Sequence, residues 1–169
     1  MMNIVISISV IIGFIYLGFS TRNILKQRVE FFDEMDRFIN EFKVNVSFIQ
    51  LGLNDFIKNF QTRSIDFNKL LKMFVSDGDI ESQKNFYLCI TPAELDIIKQ
   101  FFASIGKTDV DNQLKELEFF KTQMDQLNKK SKNAYSKYAS LSIKLGVLLG
   151  ALVVIILLWL FRVGVFLCR

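Results

Sequence analysis

Four acidic residues, Asp33, Glu34, Asp36 and Glu41, crowd one short stretch of this chain, and Asp109 with Asp111 forms a second acidic group. Carboxylates can serve as general acid and base when two of them share a cleft and their pKa values diverge. The spacing here places the first four on the polar side of a helix, as a solvated face, and puts Asp109 at a helix start, as a cap. Histidine is absent, and the two cysteines, Cys89 and Cys168, stand alone. That inventory excludes a zinc site, a Cys/His nucleophile pair and a histidine general base. No glycine loop that could cradle phosphate is present, because Gly13, Gly18, Gly146 and Gly150 lie in apolar stretches. The chain is therefore read as non-enzymatic, with no catalytic, cofactor-binding or metal-ligating residue and no cofactor. Cys89 is expected as a reduced thiol packed in or beside a core.

The elements that position these residues begin with two uncharged apolar stretches at the ends, Met1–Thr21 and Leu145–Phe161. The first is long enough for a hydrocarbon core of about 30 Å. A cleaved signal peptide would need a basic start and a small-residue cleavage site, and neither is present. The second is about 17 residues long with no amphipathic period, which disfavours a buried core helix. Arg22, Lys26 and Arg28 follow the first stretch, and Lys129, Lys130, Lys132, Lys137 and Lys144 precede the second. Basic residues mark the cytoplasmic side of a span. The expected organisation is a transmembrane helix over 1–21, a cytoplasmic helical bundle over 22–144 and a transmembrane helix over 145–167, with both termini outside.

The net charge of +4 hides a segregation. The eight basic residues beside the spans are accompanied by no acid, whereas residues 29–128 carry eleven basic and seventeen acidic groups, a net −6. A basic end of this kind is expected to lie against anionic membrane lipid, which attracts each Lys or Arg by about 1 kcal/mol. Lysines abutting a span are topology signals, so nucleic acid is not an expected partner.

Every ordered segment reads as helix. Leu25, Val29, Phe32, Met35, Ile39, Phe42, Val46 and Ile49 recur at steps of three and four, so the first span continues as a long amphipathic helix. Residues 51–55 break it. Short helices follow through Phe56 and Phe60, and from about Asp66 through Phe74, and Asp77-Gly78-Asp79 ends the second and offers Asp79 as a further cap. Thr91-Pro92-Ala93-Glu94 is a capping box with proline at the first helical position, predicting a helix from Pro92 through Leu95, Ile98, Phe101, Phe102 and Ile105 to Gly106. From Asp109 a three-four rhythm through Val110, Leu114, Leu117, Met124, Leu127, Ala134, Tyr138, Leu141, Leu145 and Leu148 predicts one helix running unbroken into the last span, antiparallel to the first. The fold class is all-α, a membrane-anchored antiparallel helical bundle with one transmembrane helix at each end.

Residues 94–115 and the closing span carry a resemblance. Glu94, Leu95, Ile97, Gln100, Phe101, Ile105, Gly106, Asp109 and Gln113, with Leu145, Gly146, Leu148 and Gly150, follow the pattern of stage III sporulation protein AB of endospore-forming bacteria. Gly18-Phe19 and the spacing to Arg28 also fit. The chain departs from the family at Ser47, Phe48 and residues 50–52, and its tail from Trp159 extends beyond the usual end. The resemblance implies a helical bundle like the platform domains of type II secretion and type IV pilus systems. It further implies a non-enzymatic platform or assembly subunit of the channel joining mother cell and forespore, in the mother-cell membrane around the forespore. An ATPase-like cytoplasmic sister protein and other channel subunits would be its partners, and an oligomer is compatible with that role. The alternative is a platform subunit of another secretion or pilus system.

Two candidate sites follow. At the turn after Gly106, the glycine takes a left-handed conformation and Thr108 or Asp109 caps the next helix. Because loops on rigid scaffolds bind partners, Gly106, Lys107, Asp109 and Gln113 are candidate partner-contact residues. In the spans, Gly13, Gly18, Gly146 and Gly150 are candidate packing residues, with Gly18 level with Gly146 and Gly13 within a turn of Gly150.

Overall fold

The computed structural model describes residues 2–49, 52–77 and 89–167. All regular elements among them are helical: α1 (Met2–Val44), a π-helical turn (Asn45–Ile49), α2 (Leu53–Asn59), α3 (Ile65–Asp77), α4 (Pro92–Ser104) and α5 (Val110–Leu167). The cap expected at Asp79 lies outside the described residues. Two compact units emerge, Lys26–Asn133 and a helix pair formed by Met1–Leu25 with Ala134–Arg169. Residues 22–25 and 134–144, expected with the central domain, thus belong to the helix pair.

The unit Lys26–Asn133 is a bundle around phenylalanine. The expected stripe of α1 is buried at Phe32, Met35, Ile39 and Phe42, and it is widened by Phe31 and Phe38 beside it. Phe38 lies at the centre, with its ring centroid 5.4 Å from Phe56, 5.2 Å from Phe60, 5.8 Å from Phe67 and 5.8 Å from Phe102. Offset and edge-to-face pairs at such distances add to the area each ring buries. Ile57 from α2, Phe67 and Leu70 from α3, Ile98 and Phe101 from α4, and Leu117, Phe120 and Met124 from α5 complete the core. Cys89 is buried and free, as expected; burial first, and then the nearby Asp66 carboxylate, push its thiol up to about 11.

The stripe of α1 does not reach Ile49. A π-turn takes more residues per revolution than an α-turn, so after Val46, which remains buried, Phe48 and Ile49 rotate outward and are 82% and 59% exposed. Helix α4 begins at Pro92 as predicted, and Glu94 Oε2 accepts the Thr91 N–H at 3.0 Å. The same buried carboxylate pairs with Arg28 of α1, so one side chain both caps α4 and ties it to α1.

Within this unit α1 and α5 run antiparallel. Lys43 Nζ meets Glu118 at 2.7 Å, and Asp33 Oδ1 accepts from Asn128 Nδ2 at 2.8 Å and from Lys132 Nζ at 2.7 Å. The acids of α1 are therefore not simply a solvated face. Asp33 bridges to α5, Glu34 is buried and pairs with Arg37 at 2.7 Å, and Asp36 lies against Asp125 of α5.

The helix pair contains the two segments apolar enough to cross a membrane, with mean hydropathy of 1.5 in the α1 window and 2.5 in the α5 window. Its outward face is apolar: Ile12, Leu17, Leu148 and Ile155 are each at least 60% exposed. Tyr138, Leu141, Leu145 and Leu148, expected on the packing stripe of α5, are exposed, and Ala139, Gly146 and Gly150 face inward instead. In lipid nothing drives leucine into a helix interface, whereas small residues let backbones approach.

Candidate functional site

The turn between α4 and α5 is built as its residue types dictate. Ile105 ends α4 by donating its N–H to Phe101 O at 3.1 Å, and Gly106 follows with φ of +80°, a conformation that penalises any side chain. Lys107 and Thr108 carry the chain to Asp109, whose carbonyl accepts the Gln113 N–H at 2.9 Å as the first bond of α5. The Asp109 carboxylate accepts the Asn112 side-chain amide at 2.6 Å, and that bond, with one from the Asn112 backbone, holds its pKa below the usual value. Asp109 rather than Thr108 is thus the cap.

Gly106 and Lys107 also line an open groove of about 910 Å³. Gly52, Leu53 and Asp55 at the start of α2, Phe74 and Val75 near the end of α3, and Lys99 and Phe102 of α4 form its other walls. Apolar floor and charged rim suit a protein segment better than a small molecule.

Gln113 does not belong to this surface. It is only 6% exposed and its Nε2 has no hydrogen-bond partner among the described residues, so it cannot offer its amide to a protein docking from outside. The reason is helical phase: Gln113 and Leu117, four apart, both face the core. Gly106, Lys107 and Asp109 are all exposed.

A carboxyl pair that the sequence spacing does not reveal joins Asp36 to Asp125 across α1 and α5. Burial first, and Asp125 second, raise the Asp36 pKa, with Lys121 opposing them and Asp33 adding to them. Asn40 Nδ2 donates to Asp36 Oδ2 at 3.2 Å. Neither Asp36 nor Asp125 lines the groove. Asn128, which donates to Asp33, and Ser131, whose hydroxyl donates to the Asn128 carbonyl, sit on the buried stripe of α5 with Met124; polar types at i+4 and i+7 of an apolar stripe are the signal by which they could have been found. No group of three or more metal-ligating side chains occurs among the described residues.

The eight basic residues beside the two apolar stretches divide. Lys26 pairs with Glu30 at 3.4 Å, Arg28 with Glu94, and Lys132 with Asp33, so Arg28 and Lys132 tie helices together within the bundle. Lys137 Nζ lies 5.3 Å from the Tyr138 ring centroid. Lys129 and Lys130 are exposed, and Arg22 and Lys144 border a groove in the helix pair.

The packing glycines divide too. A Cβ on Gly18 would stand 2.9 Å from Ser142 O, one on Gly146 would stand 2.7 Å from Phe14 O, and one on Gly150 would lie 3.4 Å from both Ile11 Cα and Phe14 Cβ. Gly13 is exposed, and a Cβ there would meet no described atom within 4 Å beyond its own stretch of helix. Five residues from Gly18, it is rotated by about 140° at 3.6 residues per turn and faces outward; Phe14, four away, takes its place in the seam.

Residues 79–158, which include the Gly106 turn and Gly146 and Gly150 of α5, match the family model of stage III sporulation protein AB. No curated protein and no solved structure matches the chain. Over residues 79–158, just under half of its length, the chain is similar to the stage III sporulation protein AB family, whose description implies a sporulation-related role.

Proposed function

We propose that this protein is a non-enzymatic membrane platform subunit of the channel between mother cell and forespore, anchored by its helix pair and presenting its bundle to the cytoplasm. The observation that carries the reading is the family match over residues 79–158, which covers the exposed Gly106 turn and the α5 half of the glycine seam. The Lys/Arg asymmetry beside both apolar stretches supports a cytoplasmic bundle in the mother-cell membrane around the forespore. The groove beside Gly106, with Lys99 and Lys107 on its rim, is where an ATPase-like cytoplasmic sister protein would dock. Other channel subunits would meet the exposed apolar faces of the helix pair.

The test is genetic and biochemical together. Deleting the gene in its own bacterium should abolish heat-resistant spores, and the wild-type chain should restore them. A chain carrying Lys99→Glu and Lys107→Glu should reach the membrane at normal levels, fail to co-purify the ATPase-like protein and fail to restore spores. Normal sporulation after deletion, with loss of a pilus or of a secreted protein, would overturn the reading in favour of a platform subunit of another secretion system.

A further inference from the structure

We propose that the helix pair holds one anionic phospholipid headgroup in a specific site between Arg22 and Lys144. This rests on the reading of the helix pair as membrane-spanning. A groove of about 390 Å³ opens there, walled by Arg22 of α1 and by Tyr135, Ala139, Ser140, Ile143 and Lys144 of α5. Tyr135, Ala139 and Ile143, and beside them Ser140 and Lys144, fall on two adjacent rows at steps of four and so form a single face of α5. Both cations are exposed, and neither has an acidic partner among the described residues. That sets them apart from Lys26, Arg28 and Lys132, whose charges are already matched within the protein.

The composition of the groove fits a lipid phosphate. A guanidinium fork and an ammonium converge on one space, which is the donor set that phosphate oxygens take up. The Tyr135 and Ser140 hydroxyls add neutral donors on the same wall. Ile143 and Ala139 supply an apolar surface for the first part of the acyl chains. Arg22 follows directly on Thr21 and Lys144 directly precedes Leu145, so both cations stand at the polar end of an apolar stretch, where the phosphates of a bilayer lie. Basic pockets between transmembrane helices at the cytoplasmic side bind anionic headgroups in this way. Free phosphate shares the chemistry but lacks the acyl chains that the apolar wall would hold, so the lipid is the occupant proposed.

The probe is phosphatidylglycerol. The full chain is reconstituted in nanodiscs of phosphatidylcholine containing a minor fraction of phosphatidylglycerol, and retained lipid is counted by native mass spectrometry after release. The wild-type chain should retain one phosphatidylglycerol in preference to phosphatidylcholine. Arg22→Gln with Lys144→Gln should weaken that retention roughly twenty- to thirty-fold, from two headgroup charges. Lys129→Gln with Lys130→Gln removes the same charge outside the groove and should leave it unchanged. Equal losses in the two double variants would reduce the effect to diffuse attraction and overturn the site. Displacement of the signal by inorganic phosphate alone would overturn the lipid as the occupant, as would retention of phosphatidylcholine in equal measure. Failure of the chain to enter nanodiscs at all would instead overturn the membrane-spanning reading on which the site depends, and is scored separately by incorporation of the wild-type chain.

Discussion

Replacing Gly146 by alanine places a methyl carbon 2.7 Å from the carbonyl oxygen of Phe14 and 3.7 Å from Gly18 Cα. Carbon–oxygen contacts in packed helices settle at about 3.3–3.6 Å, so α1 and α5 must separate locally by more than about half an ångström. The obstructing atom is backbone, and no side-chain rotation can clear it. Overpacking of this kind costs about 1–3 kcal/mol, a factor of roughly 5 to 150 in the ratio of paired to separated helices. A disulfide reports that ratio. A Cβ on Gly150 stands 3.4 Å from Phe14 Cβ, beside the disulfide range of about 3.5–4.5 Å, so Phe14→Cys with Gly150→Cys, in a chain carrying Cys89→Ser and Cys168→Ser, should crosslink within one chain under mild oxidation. Gly146→Ala should slow that crosslink by roughly five-fold or more. Gly13→Ala, on the open face, should leave it unchanged. An unaltered rate with Gly146→Ala would refute the close-approach argument, and crosslinks formed only between chains would move the seam to an oligomer interface.

Gly106→Ala should lower bundle stability by about 1 kcal/mol or more, read from denaturant midpoints, because φ of +80° is retained at the expense of a strained side chain. Gln113→Leu should be neutral or stabilising, since it removes a buried unpaired amide, whereas Gln113→Ala should destabilise by leaving a cavity; loss of assembly by Gln113→Leu at full stability would restore Gln113 as a contact residue. The raised pKa of Asp36 means that the folded state binds its proton more tightly than the unfolded state, so this group's contribution to stability falls as pH rises from its unfolded value of 3.8 through the raised folded value. Asp36→Asn should therefore raise the melting temperature at neutral pH, with the gain fading in acid below that window; an equal gain at all pH values would contradict the assignment. Cys89 cannot report topology, because it is buried and its thiol is pushed up to about 11. In a chain lacking both native cysteines, Lys107→Cys should react with a membrane-impermeant maleimide only after the cells are opened, and labelling of intact cells would reverse the orientation.

Where burial decides packing, the apolar pattern was legible. The capping box at Thr91–Glu94, the start of α4 at Pro92, the left-handed Gly106 and the uninterrupted α5 all follow from local chemistry that no tertiary contact overrides. The breadth of the α1 face was not, although the doublets Phe31-Phe32 and Phe38-Ile39 carry it: a three-four stripe counts one residue of each pair, and a helix packed on several neighbours buries both. The π-turn left no such trace, and it alone turns Ile49 outward. Gln113 was misplaced for a different reason, since a polar type at a helix start suggests a surface and only the phase shared with Leu117 shows that it points inward.

Once the surrounding medium is apolar, the same pattern is read in reverse. Continuing the stripe of α5 beyond Leu127 leads to Tyr138, Leu141, Leu145 and Leu148, which are exposed, while Ala139, Gly146 and Gly150 are covered. A single helix therefore changes its buried face between the two units, from large side chains that water would penalise to small ones that allow backbone contact. The basic residues change role along with it. Arg28 and Lys132 are committed to carboxylates in the bundle, whereas Arg22 and Lys144, in the helix pair, have no acid beside them among the described residues. An uncompensated pair of cations facing one groove repels itself. On the proposed membrane-spanning reading, the anions that could supply the counter-charge at the polar end of this apolar helix pair are lipid phosphates.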